Sequence, residues 1–280
     1  MRLVTYDAGE GARAGELRDG TVFDLWGEGE PIREADRTLS AILRGGLLPE
    51  VGPAPGDGMP VDSVTLLPPI GDPSKIVCIG LNYRTHAAEA GLEAPEQPTF
   101  FGKFANALAA PSATVSLPEG TDKVDFEAEV AVVIGARCAH VSPDAALDHV
   151  AGYTLLNDLS ARDWQFATPQ WMPGKVFDGS APCGPALVTA DEAGPHDAIE
   201  FKLELNGEVM QEASTADLIH SVPELIAYLS ERMTLEPGDV ISTGTPAGVG
   251  STREPRVWLK SGDEIVISSP TLGELRTPIG

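Results

Sequence analysis

Two glutamates, Glu127 and Glu129, stand one residue apart in the run Val124-Asp125-Phe126-Glu127-Ala128-Glu129-Val130-Ala131-Val132-Val133-Ile134-Gly135, which holds no lysine or arginine. In a β-strand, side chains at i and i+2 share a face. The two carboxylates are therefore expected to project together, with Phe126, Ala128 and Val130 on the other face. The apolar stretch Val130–Ile134 reads as a buried strand. Paired carboxylates at the entrance to a core repel each other and lose hydration, so they share a proton or bind a cation. Hard divalent cations such as Mg²⁺ favour such oxygen ligands. On a solvated strand face the same two residues would do nothing.

Four further segments carry candidate chemistry. Asp158 follows the apolar run Gly152–Leu156; it fits either a helix N-cap or a third carboxylate ligand. Arg162 and Gln165, three apart, would share a helical face toward substrate oxygens. In Asn82-Tyr83-Arg84-Thr85-His86-Ala87-Ala88-Glu89-Ala90-Gly91, Asn82 is expected to cap a short helix and Gly91 to end it. His86 and Glu89 then become i, i+3 neighbours, either a surface ion pair or an imidazole oriented as a general base. Arg84 is a candidate grip for a substrate carboxylate. Lys175 and Asp178 lie in a loop rich in Gly and Pro, where a lysine could stabilise a developing enolate or simply face solvent. Thr243-Gly244-Thr245-Pro246-Ala247-Gly248-Val249-Gly250 lacks the ending of a phosphate loop, but its amides and the Thr245 hydroxyl could hold a small carboxylate. No G-x-S-x-G elbow is present.

The elements that must position these residues are mostly strands. Strands are expected at Ile76–Gly80, Glu129–Ile134, Val150–Leu156, Ala186–Val188, Glu200–Leu205, Val240–Ser242 and Glu264–Ile267. Helices are few: Asp144–His149, Ser221–Arg232 and a short one near His86. Asp19-Gly20 and Asn206-Gly207 signal two-residue hairpins. This balance does not fit a doubly wound α/β sheet; a β-rich α+β fold with short covering helices fits better. Residues 1–64 read as a small α+β domain joined through a linker rich in Gly and Pro, and residues 65–280 as the larger domain. The formal net charge of −23 disfavours nucleic acid and anionic membranes as partners, so a small anionic ligand needs a local positive site. No apolar run approaches the roughly 20 residues of a membrane span. The N-terminus lacks a signal-type apolar region, and three scattered cysteines fit a reduced, cytoplasmic protein.

Taken in order, five motifs resemble the fumarylacetoacetate hydrolase family over roughly residues 65–280. They are Asn82-Tyr83-Arg84-x-His86-Ala87-x-Glu89, Asp125-Phe126-Glu127-x-Glu129, Asn157-Asp158-x-Ser160-x-Arg162-Asp163-x-Gln165, Gly174-Lys175-x-Phe177-Asp178-Gly179-Ser180-Ala181-Pro182-x-Gly184-Pro185 and Thr243-Gly244-Thr245-Pro246-x-Gly248-Val249-Gly250. The resemblance is to its acylpyruvase and 2-hydroxyhepta-2,4-diene-1,7-dioate isomerase-like branch. It implies a mixed β-sandwich or β-roll, a homodimer, and Mg²⁺ or Mn²⁺ on Glu127, Glu129 and Asp158. It implies His86 with Glu89 as a catalytic dyad on a lid and Lys175 as a third catalytic residue. Arg84, Arg162, Gln165, Asp178 and Thr245 become substrate contacts. The implied substrate is a small anionic 2-oxo or 1,3-diketo acid, cleaved at a C–C bond through a metal-bound enolate. Oxaloacetate-type decarboxylation and isomerisation in aromatic catabolism pass through the same kind of enolate. Gln97–Phe104 and Trp164–Met172 are expected to shape the distal end of the pocket.

Overall fold

The computed structural model describes residues 1–26, 37–91 and 93–280. A twelve-stranded mixed sheet forms the backbone of the molecule, and a separate four-stranded antiparallel sheet packs beside it. The centre of the large sheet is the antiparallel pair Ala128–Ile134 and Val150–Asn157. Ala181–Thr189 lies beside Val150–Asn157. On the other side come Val240–Ser242, Ile76–Gly80 and, at the edge, Thr99–Lys103. The four-stranded sheet orders Glu208–Ser214, Glu200–Leu205, Glu264–Ser269 and Gly273–Pro278.

Alternation on the central strand divides the core. Ala128, Val130, Val132 and Ile134 face one cluster, shared with Phe201, Leu203, Ile265 and Ile267 of the smaller sheet and with Leu225, Ile226 and Leu229 of the helix Val222–Ser230. Ala131 and Val133 face the other, with Cys78, Phe101, Leu156 and Val240. Glu129 shares the parity of this second set, as period-2 geometry requires. The helix Val222–Ser230 starts with a capping box between Ser221 and Glu224 and carries Pro223 in its first turn, both strong start signals.

The expected β-rich α+β class is observed, and most expected strands are present or longer by one to a few residues. Ala181–Thr189 extends well beyond the expected Ala186–Val188. Asp144–His149 resolves into a short helix, Pro143–Ala146, and a single 3-10 turn. Both hairpin turns take the left-handed backbone that Asp19-Gly20 and Asn206-Gly207 suit. The N-terminal strands join the same sheet: Arg2–Asp7 pairs with Ala181–Thr189, with Arg2 opposite Val188. No helix among the described residues is long and apolar enough to cross a membrane.

Candidate active site

Strand register assembles the acidic cluster. Ala128 pairs with Asn157, so Asp158, one residue beyond, comes opposite Glu127 and donates its N–H to the Glu127 carbonyl (2.9 Å). The strand is interrupted at Phe126 and Glu127, yet the alternation persists and both glutamates reach one point. Ligand oxygens of Glu127, Glu129 and Asp158 all lie within 4.8 Å of one another, and all three residues are buried. Asp158 caps no helix. It stands at the end of its strand, with both carboxylate oxygens turned into the cluster.

Three cations answer these carboxylates. Lys175 Nζ donates to Glu127 Oε2 (2.7 Å) and Asp158 Oδ2 (2.8 Å). Lys103 Nζ donates to Asp158 Oδ1 (2.6 Å). Arg162 forms ion pairs with Glu127 (2.7 Å) and Asp125 (2.7 Å), and its Nη1 also donates to Gln165 Oε1. Both lysines are nearly solvent-free, at 2% and 3% exposed. Lys175 is thus no solvated loop residue: the tight turn before it, Met172–Gly174, aims it inward. Gly174 has no room for a Cβ, which would meet the Ala161 carbonyl and the Gln165 backbone.

Lys103 is a site residue the sequence reading did not single out. Its signal lay in Phe101-Gly102-Lys103, where i and i+2 share a strand face and Phe101 faces the core. A lysine on the buried side of a strand requires an acidic partner. Asp125 is a second such residue. Wholly buried, it accepts from Arg162, from Gly250 N–H (2.7 Å) and from Ser251 N–H (3.0 Å), tying Arg162 to the glycine-rich loop.

Burial raises the pKa of Glu127, but the neighbouring Lys175 and Arg162 outweigh it and bring the group down to about 2. For Glu129, burial works together with the charges of Asp158 and Glu127 and pushes the carboxyl well above its ordinary range. Glu129 Oε2 accepts from Ser242 Oγ (2.5 Å) and Gly244 N–H (2.9 Å), leaving Oε1 without a donor among the described residues. Burial disfavours the charge on Lys175, and Asp158 and Glu127 reverse that, so its pKa is raised.

A small cavity, about 160 Å³, opens on this cluster. Its lining takes in Glu127, Glu129, Asp158, Lys175, Arg162, Gln165, His86 and Thr245, with Phe101, Phe166 and Trp171 as apolar wall. The aromatic residues come from the two segments expected to shape the pocket. His86 Nδ1 stands 3.5 Å from Glu89 Oε2, and Glu89 also accepts from Gly248 N–H (3.0 Å). Asn82, expected to cap this helix, does not. It is buried and bonds the His220 and Thr243 carbonyls instead. Arg84 is exposed and points to the Ala216 carbonyl; Asp178 is exposed and accepts from Asn106; neither lines the cavity. The Thr245 hydroxyl donates to the Ala128 carbonyl and accepts from Gln211, so its proton is committed within the protein. Among the described residues the Thr245 N–H has no acceptor.

The donor set suits a hard divalent cation: three buried carboxylates converge, one oxygen is free, and one carboxyl resists ionisation without added positive charge.

The fumarylacetoacetate (FAA) hydrolase C-terminal family model matches residues 75–280. The chain belongs to this family. It is 45% identical to the mitochondrial oxaloacetate tautomerase FAHD2A of Bos taurus, over 87% of this chain and 76% of that protein. Among solved structures it resembles a putative HpcE protein from Mycobacterium smegmatis, at TM-score 0.89 and 36% identity, covering 100% of this chain and 99% of the other. It also resembles a fumarylacetoacetate hydrolase from psychrophilic Exiguobacterium antarcticum, at TM-score 0.87 and 32% identity, covering 100% and 99%. Family membership makes this chain an enzyme, and the buried acidic triad is where such an enzyme could carry metal.

Proposed function

We propose that this family member is a divalent-metal-dependent enzyme that enolises a small anionic 2-oxo acid, with keto–enol interconversion of an oxaloacetate-like acid as its first activity. The observation that carries this reading is the placement of His86 and Lys175 on one small cavity together with the three-carboxylate cluster. Similarity to an oxaloacetate tautomerase supports the choice of substrate class. Local charge supports an anionic substrate despite the acidic chain. Four buried carboxylates (Asp125, Glu127, Glu129, Asp158) face three buried cations (Lys103, Arg162, Lys175), a balance of −1 when all are ionised. A divalent ion turns this to +1.

Glu127, Glu129 and Asp158 would hold Mg²⁺ or Mn²⁺, which when bound supplies Lewis-acid polarisation of the 2-oxo acid. The chain's own residues do the rest. Glu89 beside Nδ1 favours the tautomer with a proton there, leaving Nε2 of His86 as the base. Nε2 takes a proton from C3 of the substrate. The C–H electron pair becomes the C2=C3 bond, and negative charge moves to the C2 oxygen. The Lys175 ammonium stabilises that oxygen through its remaining N–H, and return of a proton to the oxygen completes the enol. The side-chain amide of Gln165 and the Thr245 N–H orient the substrate carboxylate. Phe101, Phe166 and Trp171 give the cavity an apolar wall beside these groups.

C–C hydrolysis of an acylpyruvate or fumarylpyruvate-like acid is the second reading, favoured by similarity to a fumarylacetoacetate hydrolase. There His86 would deprotonate water instead of carbon. Decarboxylation of oxaloacetate and isomerisation of a dienedioate use the same residues. A homodimer in a reducing, cytoplasmic compartment completes the proposal; three buried, unpaired cysteines accord with that compartment.

Ultraviolet absorbance of enol-oxaloacetate tests it. With Mg²⁺ the protein should accelerate interconversion above the metal-only blank, EDTA should abolish this, and His86→Ala should lower the rate by about 10²- to 10⁴-fold. No acceleration of enol decay, with metal-dependent cleavage of an acylpyruvate, would transfer the assignment to the hydrolase.

A further inference from the structure

We infer that Asp217 is a positioning residue for the reaction: it caps the His86-bearing helix from 132 residues away and so fixes the base over the cavity. The helix Arg84–Glu89 has six residues, and its N-cap residue, Tyr83, gives it no side-chain cap. A helix this short does not hold itself together, and its first N–H groups need acceptors from outside. The Tyr83 ring is buried against Phe201, and Asn82 is spent on the chain opposite. Asp217 supplies what both lack. Its Oδ2 accepts the Thr85 N–H at 3.1 Å and the Thr85 hydroxyl at 2.7 Å. Thr85 immediately precedes His86, so this contact sets the backbone from which the imidazole projects.

Asp217 is itself firmly placed. It closes the 3-10 turn Thr215–Asp217, whose start is capped by Ser214. Just beyond it, Leu218 forms a β-bridge with Tyr83, Ile219 N–H donates to the Asn82 carbonyl (2.7 Å), and His220 N–H donates to Asn82 Oδ1 (2.8 Å). The other end of the helix is docked separately, by Glu89 on the Gly248 N–H. Asp217 does not line the cavity and so acts only through the helix. A carboxylate at this end also complements the helix dipole.

The inference rests on the reading of His86 as the base, and the test keeps the two apart. Asp217→Ala, Asp217→Asn, His86→Ala and the double variant Asp217→Ala/His86→Ala are assayed for enol-oxaloacetate turnover with Mg²⁺, for Mg²⁺ affinity by calorimetry, and for amide hydrogen exchange. Asp217→Ala should lower kcat about five- to tenfold, the factor a lost cap carries. Amides over 86–91 should exchange faster while those of Val222–Ser230 and the Mg²⁺ affinity stay as in the parent. Asp217→Asn, which keeps an acceptor oxygen, should recover most of the loss. In the His86→Ala background, Asp217→Ala should cost nothing further, because a residue that acts through another is silent once that one is gone. If His86→Ala loses turnover while Asp217→Ala keeps parental kcat, the inference is overturned; an equal further loss in the double variant also overturns it. If His86→Ala keeps the parental rate, the base reading falls instead. The exchange data then decide the cap alone, and unchanged exchange over 86–91 would refute it.

Discussion

Glu127 and Glu129 shift in opposite directions because their neighbours differ. Glu129 is raised by burial and by two adjacent carboxylates, so the folded metal-free chain binds a proton that the unfolded chain has released. Its contribution to stability is present below the ordinary carboxylate range and is lost as pH rises through the folded value. Glu127 runs the other way. It contributes above its ordinary value of 4.5, and the contribution is lost as pH falls toward about 2. A metal needs the ionised Glu129, so binding should release a proton and weaken as pH falls. Calorimetric titration with MgCl₂ in two buffers of different ionisation enthalpy reads this; equal heats in both would refute it. Lys103 leads to a second expectation. Lys103→Met removes one of the two lysines on Asp158. Stripping a buried charge of its partner costs about 3–5 kcal/mol, and because Asp158 keeps Lys175 the loss should fall below that. A bound divalent ion supplies positive charge in the same place, so Mg²⁺ should raise Tm more in Lys103→Met than in the parent. A smaller shift in the variant would place Lys103 outside the electrostatics of the site.

Among the elements, the glycine-rich loop after Val240–Ser242 joins the site to its surroundings. Gly244 N–H holds Glu129, Gly248 N–H holds Glu89, and Gly250 N–H holds Asp125. Gly248 has φ +102°, and a Cβ there would meet the Met210 carbonyl. Arg253 clamps the same peptide by donating to the Gly248 and Met210 carbonyls. Gly248→Ala should therefore displace the loop at a strain cost of about 1–3 kcal/mol, with loss of turnover beyond the loss of stability. Comparing kcat with Tm checks this. Parental kcat in Gly248→Ala would show that the Glu89 contact is dispensable. The loop resembles a phosphate site in composition, but the amides of Gly244, Gly248 and Gly250 are turned onto the protein's own carboxylates.

On the scale of the whole molecule, one sheet carries both the site and the N-terminal strands. Arg2–Asp7 hydrogen-bonds to Ala181–Thr189, which neighbours the strand leading to Asp158. Leu3, Leu39, Ile42 and Leu43 share a cluster with Cys78 and Phe101 beneath the cavity. The division into 1–64 and 65–280 stands as a proposal about folding units, and the shared core predicts their coupling. A chain beginning at residue 65 should unfold at lower temperature than the full chain and lose Mg²⁺-dependent turnover. Thermal unfolding and the enol assay check it; unchanged Tm would make the first 64 residues an independent addition.

Much of this was open to inspection in the residues themselves. Local rules govern the hairpin turns at Asp19-Gly20 and Asn206-Gly207, the helix after Ser221 and the i, i+2 relation of Glu127 and Glu129, so these could be read directly. Five ordered motifs pointed to the family and brought Asp158, Lys175 and His86 to one site. Contacts across long separations escaped that reading. Glu127 and Glu129 have no basic neighbour in sequence, yet Lys103, Arg162 and Lys175 surround the cluster, because strand register and a tight loop, not adjacency, decide which charges meet. The cap of the His86 helix went to Asp217 and not to Asn82, since the backbone running beside Asn82 takes both ends of its amide. Composition and period are properties of a segment and are written in it. Which buried charge finds which partner depends on the packing of the whole chain, and only the tertiary structure decided that.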